Sequence, residues 1–125
     1  MQAASNIANA ATGPAMLAER QLAAYNARDL EAFAACFSDD VEVYAFPDEL
    51  SLKGKDAFRA RYVERFKNEG LKAEILHRAI VGSRAIDHER VWLTGPETSD
   101  PIDLIVIYTV RDGVIARVDF VTEAV

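Results

Sequence analysis

At 125 residues the chain has the length of one domain, long enough to bury a core but too short for two. Half of it is hydrophobic and about a quarter charged, the mix of a folded globular protein rather than a disordered one. Fourteen Lys and Arg against twenty Asp and Glu leave a net charge of −6, which repels phosphate backbones and anionic lipid and argues against nucleic acid or membrane as partners.

Residues 1–13 are polar and Ala-rich, without the cationic start and unbroken apolar run of a secretory signal, and read as a loosely ordered tail before a single domain over 14–125. No stretch approaches the roughly 20 apolar residues that cross a bilayer, so a cytoplasmic location is the default expectation. Thr12-Gly13-Pro14 is a helix-start signal, since the first turn does not need the N–H that proline lacks, and it predicts a helix over about 14–28. Leu17, Ala24 and Tyr25 form its apolar stripe, and Gln21 falls on that stripe, turning a polar group inward.

Asp29 can cap a second, short helix in which Leu30, Phe33 and Phe37 recur at helical spacing, with Ser38-Asp39-Asp40 as the turn that ends it. Cys36, the lone cysteine, cannot form an intramolecular disulfide; with nothing basic beside it in sequence, it reads as a small buried hydrophobe. Val41 and Val43 alternate with Glu42 and Tyr44 as a strand, Phe46-Pro47-Asp48 breaks the run, and Leu50 to Lys53 resumes it. Gly54 opens a third helix whose Phe58, Tyr62 and Phe66 make an aromatic ridge. Four strands follow, Leu71 to Val81, Ala85 to Leu93, Ile102 to Arg111 and Val114 to Thr122, with reversals at Gly82-Ser83-Arg84 and Asp112-Gly113. Helices and a long antiparallel meander together predict an α+β domain with helices covering one face of a strongly curved sheet.

Tyr25-Asn26-Ala27-Arg28-Asp29-Leu30, Phe37-Ser38-Asp39-Asp40-Val41-Glu42-Val43, Gly54-Lys55-Asp56-Ala57-Phe58, the run from Val81 to Arg90 and the hairpin from Val110 to Ile115 carry a resemblance. Over about residues 15–122 the chain resembles the SnoaL-like and ketosteroid isomerase-like branch of the nuclear transport factor 2-like superfamily. The resemblance implies a cone-shaped barrel whose open end admits a small organic ligand and whose outer sheet face forms a homodimer. Its catalytic members move a proton with a carboxylate while a tyrosine and a protonated acid hydrogen-bond the oxyanion. On that pattern Asp103 falls where the family places its protonated acid, and Tyr62 matches a tyrosine of the oxyanion network. Gln21 stands where the family has its first-helix tyrosine, and Ala45 where it has its general base.

The candidates carry two readings each. Asp103 shares a strand face with Ile105, Ile107 and Thr109, either as a carboxyl held protonated by apolar surroundings or as a solvated strand-end acid beside Pro101. Tyr62 is either a hydrogen-bond donor to the ligand or a core aromatic with its hydroxyl at the rim. His77 alternates with Ala73, Ile75, Ala79 and Val81, either as the substitute base inside the cone or as a buried histidine satisfied by a carbonyl or by a dimer partner. Tyr44, Phe46, Phe66, Val118 and Phe120 are pocket walls or ordinary core.

No Gly-rich phosphate cradle, nucleophile elbow or paired-cysteine motif is present, and His77 and His88 lack matching carboxylate spacing. A cofactor-free, metal-free pocket for a small apolar molecule is therefore expected. Its catalytic version is an isomerisation, cyclisation or dehydration by proton transfer. The alternatives are a ligand-binding module and a homodimerising scaffold in which Leu104, Val106, Tyr108 and Val110 face the partner.

Overall fold

The computed structural model describes residues 13–122, so the expected N-terminal tail, Gly13 apart, lies outside the described residues. Helix α1 (Pro14–Ala27) starts on the proline and ends where Arg28 turns left-handed, φ 54°, its N–H returning to the Tyr25 carbonyl at 3.0 Å. Asp29 caps the short α2 (Leu30–Ala34), accepting from the Ala32 N–H at 3.1 Å. Asn26 ties the end of α1 to the sheet: its amide donates to the Ala73 carbonyl at 3.0 Å and accepts from the Ala73 N–H at 2.8 Å.

Strand β1 (Phe37–Ala45) begins earlier than expected, absorbing Ser38-Asp39-Asp40. Phe37 is buried and aligned with Ile115, whose N–H donates to the Cys36 carbonyl at 2.8 Å, so long-range pairing overrides the local turn preference of Ser and Asp. Strand β2 (Glu49–Lys53), helix α3 (Lys55–Phe66) and strands β3 (Lys72–Val81), β4 (Arg84–Trp92), β5 (Ile102–Arg111) and β6 (Val114–Thr122) fall close to their expected bounds. Asp112 and Gly113 both take positive φ, 54° and 77°, as the tight β5–β6 reversal requires.

The six strands form one sheet in the order β2-β1-β6-β5-β4-β3, antiparallel except for the β1–β6 pair. The sheet curves but stays open, with β2 and β3 as edges, and the helices pack against its inner face. Directly paired residues share a face. Ala85, Asp87, Glu89 and Val91 of β4 therefore lie on the inner face with Leu104, Val106 and Tyr108 of β5 and Val118 and Phe120 of β6. This corrects the expectation that Leu104, Val106, Tyr108 and Val110 face a partner: they pack on the chain's own core.

A bulge in β3 between Ile75 and His77 changes the parity of that strand. Ala73 is buried inward, but past the bulge it is Arg78 that pairs with inward Asp87, while His77 pairs with His88 on the outer face and is exposed. Cys36 is a free, buried thiol bonded to the Ala32 carbonyl, as its surroundings in sequence suggested.

The aromatic ridge of α3 closes the core. Phe58 meets Phe37 at 4.4 Å, Tyr62 at 4.8 Å and Phe33 at 5.6 Å between ring centroids, and is 1% exposed. Gly70, after α3, touches the loop that follows β4 so closely that a Cβ there would collide with the Thr94 carbonyl. Phe58→Ala should cost about 3–5 kcal/mol, mostly as cavity, readable as a fall in urea midpoint at constant m. A loss under about 1 kcal/mol would show that the ridge does not hold α3 to the sheet.

Candidate functional site

Between the helices and the inner sheet face lies a cavity of about 260 Å³. Its walls are Gln21, Leu22 and Tyr25 of α1, Phe33 and Phe37 around α2, and Phe58, Arg61, Tyr62 and Arg65 of α3. From the sheet come Ala73, Glu89, Val91, Leu104, Tyr108, Val118 and Phe120, among others. This is small beside ligand pockets of roughly 300–1,000 Å³ and suits a ligand below drug size.

Glu89 is the unusual member. It lies inward on β4, opposite Ile75 and Leu104, and is 7% exposed. Among the described residues no hydrogen bond or ion pair engages its carboxyl. Burial raises its pKa from the ordinary 4.5 to about 8; the neighbouring Asp87 charge adds to the rise, and Arg78 opposes it.

Asp87, two residues earlier on the same face, is fully buried but fully partnered. The Arg78 guanidinium forks onto it, Nε to Oδ1 at 2.6 Å and Nη2 to Oδ2 at 2.9 Å, and its Nη1 reaches Glu19 of α1 at 2.8 Å. These contacts hold the arginine more firmly protonated, with the Asp87 bond contributing most. Arg78 is thus committed to Asp87 and Glu19, which leaves the Glu89 carboxyl open to the cavity.

Three tyrosines, Tyr25, Tyr62 and Tyr108, line the same cavity as this acid. Burial pushes Tyr62 up to about 12 and Tyr108 well above its usual value, and raises Tyr25, where the Arg65 guanidinium beside the hydroxyl partly offsets it. All three stay neutral phenols that donate hydrogen bonds. The Gln21 amide donates to the Ala18 carbonyl at 3.0 Å, with its amide oxygen left for other donors.

Of the residues singled out in the sequence, Tyr62, Gln21, Val118 and Phe120 line the cavity. Phe66 stands behind the wall, its ring 5.6 Å from that of Tyr25 and 5.3 Å from that of Phe33. Tyr44 lies on the outer face beneath Arg117, 3.7 Å from guanidinium to ring, and donates to Glu42 at 2.8 Å. Phe46 is exposed in the β1–β2 turn. Asp103 is also on the outer face, exposed, with Arg90 at 3.2 Å and His88 at 3.8 Å. The expected grouping of Asp103 with Ile105, Ile107 and Thr109 is right, but that face looks away from the cavity. His77 sits beside His88 on the same outer face, carried there by the bulge.

Glu89 was missed because β4 offers two plausible faces, and Ile86 and Trp92 make the opposite one look apolar. The available signal was Arg78, which a two-residue Gly82-Ser83 turn sets opposite Asp87. Among the described residues no group of three or more His, Cys, Asp or Glu could hold a metal ion, and no helix is long and apolar enough to cross a membrane.

A native Glu89 keeps its proton up to about pH 8, whereas an unfolded glutamate loses it near 4.5. Its stabilising share is therefore complete below pH 4.5 and is lost as pH rises to about 8. Glu89→Gln cannot ionise. The variant should match wild type below about pH 4 and exceed it by on the order of 2–4 kcal/mol above about pH 8, measured by urea unfolding. Equal stabilities across that range would show that Glu89 is not held protonated.

Several solved structures share the fold. An NTF2-like protein from Cytophaga hutchinsonii superposes with a TM-score of 0.72 at 12% identity, over 86% of this chain and 88% of that one. A candidate ketosteroid isomerase from Kribbella flavida gives 0.71 at 21% identity, over 87% of this chain and 76% of that one. A candidate polyketide cyclase from Sinorhizobium meliloti gives 0.69 at 24% identity, over 83% and 92%. No curated protein matches the chain in sequence. The family model of the SnoaL-like domain matches residues 18–118, so with this fold and this match the chain belongs to the SnoaL-like domain family.

Proposed function

We propose that the cavity binds a small, largely apolar organic molecule and that Glu89 moves a proton on it, in an isomerisation, cyclisation or dehydration. The observation that carries this reading is a buried carboxyl on the cavity wall that has no hydrogen-bond partner among the described residues. A structural carboxyl in such a place would be expected to have its partners, as Asp87 does.

The chemistry follows from the surroundings. With a pKa of about 8, Glu89 has both its acid and its carboxylate forms accessible near neutral pH, which suits a group that takes a proton and returns it. The carboxylate would remove a proton from carbon next to a carbonyl, and the electron pair would pass to the carbonyl oxygen. A neutral phenol of Tyr62 or Tyr108 would donate to that oxygen. The new carboxylic acid would then hand the proton to another carbon or to a leaving hydroxyl. Asp87 and Arg78 act on Glu89 through their charges, the first favouring its acid form and the second its carboxylate. The family's base position remains Ala45, so the proton carrier comes from β4 rather than from the end of β1.

The reading is tested by deuterium uptake from heavy water into a panel of small enolisable ketones and enones, followed by NMR. Wild type should catalyse uptake into at least one of them, and Glu89→Gln should lose about 100-fold or more while still binding it. Asp87→Asn, which removes the like charge, should move the pH dependence of uptake downward. Binding without uptake for every compound would favour the ligand-binding alternative.

Homodimerisation is supported by the outer sheet face, where Ile86, Ile105, Ile107 and Val121 form a continuous half-buried apolar strip. Light scattering across a concentration series should give twice the chain mass; a monomer mass at every concentration would remove this part of the reading.

A further inference from the structure

Arg61 and Arg65 are one turn apart on α3 and both line the cavity. The other guanidiniums with carboxylate partners are engaged elsewhere: Arg59 with Glu31, Arg78 with Asp87 and Glu19, Arg90 with Asp103, Arg117 with Asp119. Among the described residues neither Arg61 nor Arg65 has such a partner. Arg61 donates to the Ser51 hydroxyl at 3.1 Å, and Arg65 lies 5.7 Å above the Tyr62 ring. Two like charges at this helical spacing repel each other by a few tenths of a kcal/mol. In a chain of net charge −6, an unneutralised cationic pair on an otherwise apolar cavity needs a reason.

The pair is also set apart from the acid. Arg61 and Arg65 belong to the helix wall of the cavity, on α3, and Glu89 to the facing sheet wall, on the inner side of β4. The cavity is therefore polarised. The sheet wall carries Glu89, an acid without a cationic partner that offers an anion nothing to pair with; the helix wall carries two arginine forks, whose planar donors match a carboxylate.

We propose that the ligand is an amphiphilic carboxylic acid, an apolar body carrying one carboxylate that Arg61 and Arg65 hold at the α3 side, with the uncharged end against Glu89. This rests on the proton-transfer reading for the location of the reacting end, and adds to it the class and the orientation of the substrate. An apolar ligand of this size has few ways to fix its direction in a greasy cavity. A carboxylate clamped at one end supplies that direction and holds the reacting carbon near the acid.

The test uses a matched pair of probes, 2-naphthylacetate and its primary amide, which share shape and differ in charge. Their affinities are measured by calorimetry on the full chain, for wild type, Glu89→Gln and the double variant Arg61→Gln/Arg65→Gln. Both arginines reach solvent, so their replacement leaves the core intact, and amide binding serves as the folding control. The acid should bind wild type at least about tenfold tighter than the amide, a preference that shrinks at about 0.5 M salt. The double variant should bind both alike, and Glu89→Gln should keep the preference. Equal affinities in wild type, or a preference that survives the double variant, would overturn the proposal while leaving the cavity and its acid standing. Failure of wild type to bind either probe would count against both readings.

Discussion

Two carboxyls lie two residues apart on one strand face beside a single arginine, and the architecture around the cavity depends on that arginine binding only one of them. Asp87 takes both arms of the Arg78 fork, and Glu19 takes what remains. Removing one partner of a buried ion pair costs about 3–5 kcal/mol, because the other is left charged without compensation. The contact thus locks β3, β4 and α1 together at one point. It also leaves Glu89 as a carboxyl that burial can keep protonated. One ion pair thereby holds the layers in place and leaves its neighbour without a cationic partner.

The aromatic cluster has the complementary task. Phe33, Phe37, Phe58 and Tyr62 meet at centroid distances of 4.4 to 5.6 Å, which fixes α3 at a definite height above the sheet. Rings are stiff, with few rotamers to lose, so the gap they leave beside Glu89 keeps its shape. An all-aliphatic ridge could collapse into that gap. The cavity is a consequence of large rigid side chains meeting a curved sheet whose inner face carries two acids.

The distribution of charge separates this chain from the pattern it resembles. By the resemblance read in the sequence, Ala45 and Gln21 fall where the ketosteroid isomerase-like pattern has its base and first tyrosine; the cavity is nonetheless lined by an acid and three neutral phenols. The fold admits such substitution because inward positions of several strands, among them Glu89 of β4, Leu104 and Tyr108 of β5 and Val118 and Phe120 of β6, reach one shared cavity. A carboxyl can move from one strand to another and still approach the ligand from a different wall.

The amino-acid sequence alone determined the order of helices and strands, the capping of α1 and α2, the β5–β6 reversal and the aromatic ridge, because these follow from local periodicity and turn chemistry. It also brought Tyr62, Gln21, Val118 and Phe120 to the right region. The placement of the acids was decided only by tertiary structure. Both faces of β4 and β5 carry apolar residues, so alternation could tell which residues share a face but not which face meets the helices. The bulge after Ile75 then changed the parity of β3, sending His77 out and Arg78 in. Of the two readings of Asp103 the structure takes the solvated strand-end one, whereas Glu89, which no sequence pattern singled out, lies on the cavity wall. Sheet curvature and helix docking choose the inner face, and these arise from contacts between residues far apart in the chain.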